Sequence, residues 1–221
     1  MERAAVTETT VVHLMRHGEV HNPTGVLYGR IPDFHLSELG RKMAERVAEH
    51  VAGRDIVHLV SSPLERAQET MEPIAKTFGL TPDLDERVIE AANLFEGKKF
   101  GVGDGALRNP SAWWLLRNPI KPSWGEPYQQ IVRRMRDAIE TAQQKAAGHE
   151  ALIVSHQLPI WIVRSAIENR RLWHDPRKRQ CSLASLTSFT FHGETIMSVG
   201  YAEPAKDLLP VKNPKKFVGG A

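Results

Sequence analysis

Residues 11–18, Val-Val-His-Leu-Met-Arg-His-Gly, contain the pattern on which the predicted fold rests. The mostly apolar run Val11–Met15 ends abruptly at Arg16-His17, as is typical of a buried strand with polar groups at its carboxyl end. Two further runs repeat this pattern: Ile56–Val60 is followed by Ser61-Ser62, and Ala151–Val154 by Ser155-His156. These runs predict three parallel strands.

Segments with helical periodicity separate these strands. Leu36, Leu39, Met43, Val47 and Val51 recur at helical spacing after Ser37, a residue suited to capping. Ser62-Pro63-Leu64-Glu65 has the form of a capping box with proline at the first helical position, for a helix that ends near Phe78 at Gly79. The remaining predicted elements are a short strand over Thr81–Asp85, helices around Ile131–Ala142 and Leu158–Ile167, and strands over Ser185–Phe191 and Thr195–Val199. This order predicts a three-layer α/β/α fold, a mostly parallel sheet with helices on both faces.

The chain length fits one domain. We assign residues 1–203 to it, with an irregular insertion at 90–128 near the site and a loosely attached tail at 204–221. Glycines and prolines interrupt the insertion, while Trp113, Trp114 and Trp124 indicate that it is ordered. These tryptophans favour a partly apolar substrate or a dimer contact, so a homodimer stays open.

Composition narrows the class of protein. Of 221 residues, 41% are hydrophobic and 25% charged, and the net charge is only +3, as in an ordinary globular protein. The single cysteine, Cys181, excludes an internal disulfide and favours a role in packing. The polar first ten residues do not resemble a signal peptide, and no segment has the length and apolarity of a membrane span. We therefore expect a cytoplasmic protein that binds neither nucleic acid nor a membrane.

Titratable side chains follow the predicted strand ends. Ligands of open α/β sheets bind beyond the carboxyl ends of the strands, so Arg16-His17, Arg66 and His156 are expected at one edge. Arg66 also falls in the first turn of its helix, where free N–H groups favour anions. Guanidinium groups match phosphate geometry. The sequence therefore predicts a phosphate site with an imidazole at its centre.

These motifs resemble the signatures of the histidine phosphatase superfamily, which includes the phosphoglycerate mutases. The resemblance runs from Val11 to Thr190 in the same order. Its segments are Leu14-Met15-Arg16-His17-Gly18-Glu19, Leu36-Ser37-Glu38-Leu39-Gly40, Ser61-Ser62-Pro63-Leu64-Glu65-Arg66-Ala67-Gln68-Glu69-Thr70, Glu90 with Phe95-Glu96-Gly97, and Val154-Ser155-His156.

The resemblance implies a phosphoglycerate mutase-like fold and a set of roles. His17 would be the nucleophile that becomes phosphohistidine, and Arg16, Arg66 and His156 would bind the phosphoryl oxygens. Glu90 would be the general acid, with Glu96 and Glu19 as alternatives. The chemistry is consistent with these roles, because a neutral imidazole can attack phosphorus and an alkoxide needs a proton to leave.

The sequence departs from the family pattern at several points, and Gly29-Arg30-Ile31-Pro32-Asp33 resembles the family's Gly-Arg-x-Asp stretch with one residue added. Val20 stands where the family has threonine, Asn22 lies one residue early, His35 replaces a proline, and Gln157 replaces a glycine. Asn22 and Gln157 are expected to contact substrate.

No motif requires a metal or an organic cofactor, so none is predicted. The glycines at 101–105 follow no convincing strand, and there is no His-Glu-x-x-His, no Gly-x-Ser-x-Gly and no P-loop. The leading hypothesis is a metal-independent phosphatase acting on a small phosphorylated substrate. A mutase of the phosphoglycerate type and a catalytically weak phospholigand-binding protein are the alternatives.

Overall fold

The computed structural model describes residues 8–93, 96–97 and 125–209, and its centre is a six-stranded sheet. The strands are β1 (Thr9–Arg16), β2 (Ile56–Ser61), β3 (Asp83–Leu84), β4 (Glu150–Ser155), β5 (Leu186–His192) and β6 (Thr195–Ala202). Their order is β3-β2-β4-β1-β5-β6. The neighbours from β3 to β1 pair in parallel, and β5 and β6 add antiparallel pairs at one edge. The predicted mostly parallel α/β sheet is thus confirmed.

In the described part of the chain, four α-helices cover the sheet: α1 (Glu38–Val51), α2 (Glu65–Phe78), α3 (Tyr128–Lys145) and α4 (Gln157–Ile167). Because successive strand residues face opposite sides, Leu14 packs with α3 and α4, whereas its neighbour Met15 packs with α1 and α2. The same division holds for Ile153 and Leu152 of β4. The sheet therefore lies between two apolar layers, and its central strands are buried on both faces.

The register of the parallel strands brings their ends to one level. Arg16, the last residue of β1, pairs with Ser155 at the end of β4, and Ser61 at the end of β2 pairs with Val154. β4 lies between β1 and β2, although it follows both in the chain. The residues after these three strands consequently emerge side by side at one edge of the sheet.

Helix ends agree with the sequence in two cases and differ in one. The Ser37 hydroxyl accepts the Gly40 N–H at the start of α1, and α2 ends at Gly79, whose φ of 64° suits glycine. The capping box at Ser62 is wrong, because α2 begins at Glu65 with no side-chain cap. The Ser62 hydroxyl lies 2.8 Å from Nε2 of His156 instead.

The segment after β6 also differs from expectation. Ala205 is buried in the apolar layer beside α1, and Asp207 pairs with Arg46 of that helix. The prediction of a loosely attached tail is therefore wrong for residues 204–209, and residues 210–221 lie outside the described part of the chain. Trp113, Trp114 and Trp124 of the predicted insertion lie outside it too. Within the described ranges, no helix has both the length and the apolarity needed to cross a membrane.

Candidate active site

Two fully buried imidazoles face each other at the carboxyl edge of the sheet. His17 follows β1 and His156 follows β4, and the centroids of their rings lie 5.1 Å apart. The backbone joins them as well, because the His17 N–H donates to the carbonyl of Ser155, the residue before His156. The predicted convergence of these two strand ends is what the structure shows.

The hydrogen bonds of His17 determine which ring nitrogen is available for chemistry. Nδ1 lies 2.8 Å from the Gly18 carbonyl, which only accepts, so Nδ1 carries the proton and Nε2 carries the lone pair. Nε2 is buried and contacts no hydrogen-bond partner among the described residues. Burial, with the charges of Arg66 and Arg16, holds the His17 pKa well below its usual value. His17 is therefore a neutral imidazole with an unoccupied lone pair.

Gly18 fits a close backbone crossing that fixes the loop after His17. A Cβ atom on Gly18 would lie 2.6 Å from the carbonyl oxygen of Gly40, which is inside van der Waals contact. The Gly18 N–H also donates to the Thr70 hydroxyl of α2 at 3.0 Å. The loop is thus held by both α1 and α2, and the imidazole of His17 is held with it.

Arg66 presents a buried guanidinium whose hydrogen-bonding capacity is only partly used. Nη2 donates to the Gly29 carbonyl at 2.6 Å and lies 3.4 Å from Nδ1 of His156, and Cζ stands 4.8 Å from the centre of the Tyr28 ring. Nε and Nη1 are buried with no partner in the described ranges. Two unpaired N–H donors on a buried cation favour an anion beside them.

His156 is oriented by contacts on both ring nitrogens. A guanidinium only donates, so Nδ1 accepts from Arg66 and Nε2–H donates to the Ser62 hydroxyl. Burial, followed by the charge of Arg66, holds the His156 pKa well below its usual value. Ser62 therefore orients an imidazole, and the same hydroxyl also accepts the Leu64 N–H, at 3.4 Å, just before α2 begins.

Arg16 is held by the segment between α4 and β5. Its Nη1 donates to the Cys181 carbonyl at 2.8 Å, and Nε2 of Gln157 donates to the same oxygen at 3.3 Å. Burial raises the pKa of the Cys181 thiol to about 11, so the thiol stays protonated, in keeping with packing. The Cys181 backbone, rather than its sulfur, contributes to the site.

Glu90 is the buried carboxyl of the site. Oε1 accepts the Ala91 N–H at 2.8 Å, and Oε2 has no partner within the described chain. Burial raises the Glu90 pKa, although the Ala91 N–H and the charge of Arg66 oppose the shift. Its backbone is fixed by Arg30, whose Nε donates to the Glu90 carbonyl at 2.6 Å. This environment suits a carboxyl that holds and releases a proton.

The other two candidate acids have structural partners. Oε1 of Glu96 accepts the backbone N–H of Arg30 at 3.0 Å and that of Asn93 at 3.3 Å. The carboxylate of Glu19 accepts from the Ser37 hydroxyl, at the start of α1. Of the three carboxyls, Glu90 alone combines burial with an oxygen that has no described partner.

The predicted substrate contacts occupy different surroundings. Asn22 uses its side-chain amide within its own loop, donating to the Val26 carbonyl and accepting the Val26 N–H. Gln157 bridges the Cys181 carbonyl and the Arg179 guanidinium. His35 contacts the carboxylate of Glu69. Asn22 thus stabilises a turn, and Gln157 links groups that border the site.

Sequence reasoning missed Tyr28 and Arg179. The Tyr28 ring is buried, lies edge-on to the His17 ring with centroids 6.4 Å apart, and stacks on Phe34. The sequence signal that could have found Tyr28 is its place directly before Gly29-Arg30, the start of the stretch that resembles the family's Gly-Arg-x-Asp. Arg179 stands in a run of basic residues typical of a solvated loop, yet its charge acts on Glu90.

The described residues form an anion site rather than a metal site. Two guanidiniums adjoin two neutral imidazoles and a carboxyl with a raised pKa, so the net field attracts negative charge. Within the described ranges, no three His, Cys, Asp or Glu side chains group as metal ligands would. The arrangement can bind a phosphoryl group and attack it from Nε2 of His17.

Comparison with known proteins agrees with this geometry. The family model of the histidine phosphatase superfamily (branch 1) matches residues 12–203. Protein Rv0525 of Mycobacterium tuberculosis (strain ATCC 25618 / H37Rv) is 54% identical over 198 residues, which cover 90% of this chain and 98% of that protein. A metal-independent phosphoserine phosphatase of Arabidopsis thaliana is 33% identical over 68% of this chain and 65% of its own length. The structure of a mycobacterial glucosyl-3-phosphoglycerate phosphatase, Rv2419c, superposes on this chain with a TM-score of 0.70 at 23% identity. The superposition covers 88% of this chain and 97% of that one, so the two share a fold.

Proposed function

Because this chain belongs to the histidine phosphatase superfamily, we propose that it is a metal-independent phosphatase that hydrolyses a small phosphomonoester through a phosphohistidine intermediate. One observation carries the proposal: the free lone pair on Nε2 of His17 lies in a buried site that also holds two unpaired N–H donors of Arg66. A phosphoryl group supplies both the electrophile and the anion that these atoms lack.

The first half-reaction transfers the phosphoryl group to the protein. Nε2 of His17 forms a bond to phosphorus while the ester P–O bond breaks, and Glu90 gives its proton to the leaving oxygen. The imidazole becomes a phosphorylated cation, and the Nδ1–H bond to the Gly18 carbonyl stabilises its charge. Arg16 and Arg66 offset the negative charge on the equatorial oxygens.

The second half-reaction restores the protein. Glu90, now a carboxylate, takes a proton from water as the water oxygen attacks phosphorus and the P–N bond breaks. Inorganic phosphate leaves, and His17 returns to its neutral form with the proton still on Nδ1. Each cycle therefore consumes one ester and one water and changes no oxidation state.

The direct test is turnover of p-nitrophenyl phosphate, a chromogenic ester, by the purified protein. We expect release of inorganic phosphate that is unchanged by excess EDTA, because guanidiniums adjoin the reacting atoms and no group of metal ligands occurs among the described residues. Loss of activity with EDTA, recovered on adding a divalent cation, would contradict metal independence. Absence of turnover with every phosphomonoester tried would contradict the proposal as a whole.

A mutase is the second candidate, because a further cation, Arg179, is hydrogen-bonded to Gln157 beside His156 and acts electrostatically on Glu90. A mutase shares the first half-reaction but passes the phosphoryl group to an alcohol instead of water. Supplying 3-phosphoglycerate with catalytic 2,3-bisphosphoglycerate separates the two activities. A phosphatase releases inorganic phosphate, whereas rapid formation of 2-phosphoglycerate without phosphate release would favour the mutase.

The assignment of Glu90 as general acid predicts a dependence on the leaving group. Glu90→Gln is expected to lower kcat/KM for glycerol 3-phosphate by about 100- to 1,000-fold, the usual contribution of a general acid. The loss with p-nitrophenyl phosphate should be much smaller, since p-nitrophenolate leaves without a proton. Burial raises the Glu90 pKa, so wild-type kcat/KM for glycerol 3-phosphate should fall as the pH rises through that raised value, where the proton is lost.

Two matched variants control this experiment. Glu96→Gln and Glu19→Gln remove the alternative acids, and neither should make the rate depend on the leaving group, because both carboxylates are occupied by structural hydrogen bonds. Glu90→Gln should also lack the decline at high pH. If Glu96→Gln or Glu19→Gln showed the selective loss instead, that residue would replace Glu90 as the acid.

A further inference from the structure

Arg179 is joined to the phosphate-binding groups by a short chain of hydrogen bonds. Its Nη1 donates to Oε1 of Gln157 at 3.2 Å, and Gln157 immediately follows His156. Nε2 of Gln157 donates at 3.3 Å to the Cys181 carbonyl, which also accepts from Nη1 of Arg16. One amide and one carbonyl thus separate the guanidinium of Arg179 from that of Arg16.

The guanidinium of Arg179 is held from its other side by His174. Nδ1 of His174 donates to the Leu172 carbonyl, so Nε2 is free to accept from Nε of Arg179 at 2.8 Å. The His174 ring in turn packs beside Trp161 and Tyr128. Burial lowers the His174 pKa, which keeps the ring neutral and able to accept this hydrogen bond.

The charge of Arg179 has no carboxylate partner among the described residues. Its neighbour Arg177 shows the contrast, since that guanidinium pairs with Asp175 at 2.8 Å. Within the described chain, Nη2 of Arg179 makes no hydrogen bond, and no Asp or Glu oxygen lies within ion-pair distance of it. A cation fixed by two hydrogen bonds therefore keeps Nη2 for an anion.

The electrostatic surroundings of Arg179 indicate which part of the substrate carries that anion. The charge of Arg179 acts on Glu90, the carboxyl that gives its proton to the leaving oxygen, and its hydrogen-bond partner Gln157 follows His156 directly. The alcohol part of the substrate departs on this side.

We propose that Arg179 determines specificity by binding a carboxylate in the alcohol part of the substrate, so that the preferred substrates are phosphate esters of hydroxy acids. This inference rests on the proposed phosphatase function. A carboxylate accepts a charge-assisted hydrogen bond from Nη2 of Arg179, which makes no hydrogen bond within the described chain. Gln157 and His174 act as positioning residues for Arg179.

Two pairs of esters, each differing by a carboxylate, test the proposal: 3-phosphoglycerate against glycerol 3-phosphate, and phosphoserine against phosphoethanolamine. The wild type should prefer the carboxylated member of at least one pair. Arg179→Met should lower kcat/KM for that ester by about 30-fold, and for its partner by about threefold or less, as expected for one lost charge-assisted bond. Arg179→Lys should recover part of the preference, because it keeps the charge without the fork.

Arg177→Met is the matched control, because it removes an exposed guanidinium from the same loop. It should leave both rates unchanged. Equal kcat/KM values for both members of each pair in the wild type, or an equal fall of both in Arg179→Met, would overturn the role of Arg179. Such results would still allow turnover of p-nitrophenyl phosphate, so the proposed phosphatase function would stand. If the wild type hydrolysed no p-nitrophenyl phosphate, both the proposed function and the role of Arg179 would be overturned.

Discussion

Replacing His17 with alanine is expected to lower kcat/KM for any phosphomonoester by at least about 10,000-fold, the scale of loss when a covalent nucleophile is removed. The reason is geometric. His17 brings the only ring nitrogen in the described site that has an unoccupied lone pair, since Nε2 of His156 bears a proton donated to Ser62. Steady-state phosphate release measures the effect.

A matched imidazole variant controls this experiment, and the phosphohistidine intermediate can be detected by its chemical stability. His149→Ala removes an exposed imidazole at the opposite end of β4 and should retain full activity. After rapid mixing with a ³²P-labelled substrate, the wild type should carry label that is stable to base and labile to acid, the behaviour of phosphohistidine. The His17→Ala protein should carry none. A labelled or fully active His17→Ala protein would refute the mechanism.

Replacing Arg66 with methionine is expected to separate catalysis from stability. The rate should fall by about 1,000-fold, because Arg66 supplies buried, preorganised N–H donors to the phosphoryl oxygens. The free energy of unfolding without ligand should change by less than about 1 kcal/mol, since release of an unpaired buried charge offsets the lost bond to the Gly29 carbonyl. Urea denaturation measures this second quantity.

Ligand-induced stabilisation supplies a readout independent of turnover. Inorganic phosphate or orthovanadate binds the folded state alone, so each should raise the Tm of the wild type, and the Arg66→Met protein should show almost no shift. Arg164→Met is the matched control: Arg164 is also a buried arginine, but its guanidinium meets Glu168 and the Gln180 carbonyl rather than the imidazoles of His17 and His156. That variant should lose stability and keep both activity and the phosphate shift. Wild-type-like phosphate binding by Arg66→Met would exclude Arg66 from the anion site.

Acid should destabilise the protein through His17 and His156, whose pKa values are lowered in part by the charge of Arg66. The pKa values of His17 and His156 lie below the ordinary value of 6.5 in the folded state, and the charge of Arg66 is the second cause of both shifts after burial. Their contribution to stability is thus fully present above pH 6.5 and is lost as the pH falls towards the lowered values, because the unfolded chain takes up protons first. In Arg66→Met this loss should be shallower, since one cause of both shifts is gone.

The sequence by itself determined the strands and helices and the edge of the sheet at which the site residues meet. Apolar runs such as Val11–Met15 and Ala151–Val154 predict buried strands, because successive strand side chains face opposite sides of the sheet and a continuous run is apolar on both. Parallel strands also end at one edge of a sheet. From that rule His17, Arg66 and His156 were predicted to converge, and the structure brings them together. The helix of residues 38–51 followed in the same way from its period and from the capping serine at its start.

Only the tertiary structure decided how the groups at that edge are used. The Ser62 hydroxyl meets the capping pattern in sequence, but it bonds to His156, 94 residues away, because the β2–β4 register places the two side by side. The register and the packing of the loops likewise give Nε2 of His17 its free lone pair and bring Arg179 towards Glu90. Contacts between residues so distant in the chain depend on how strands align and loops close, and no local pattern of residue types records that.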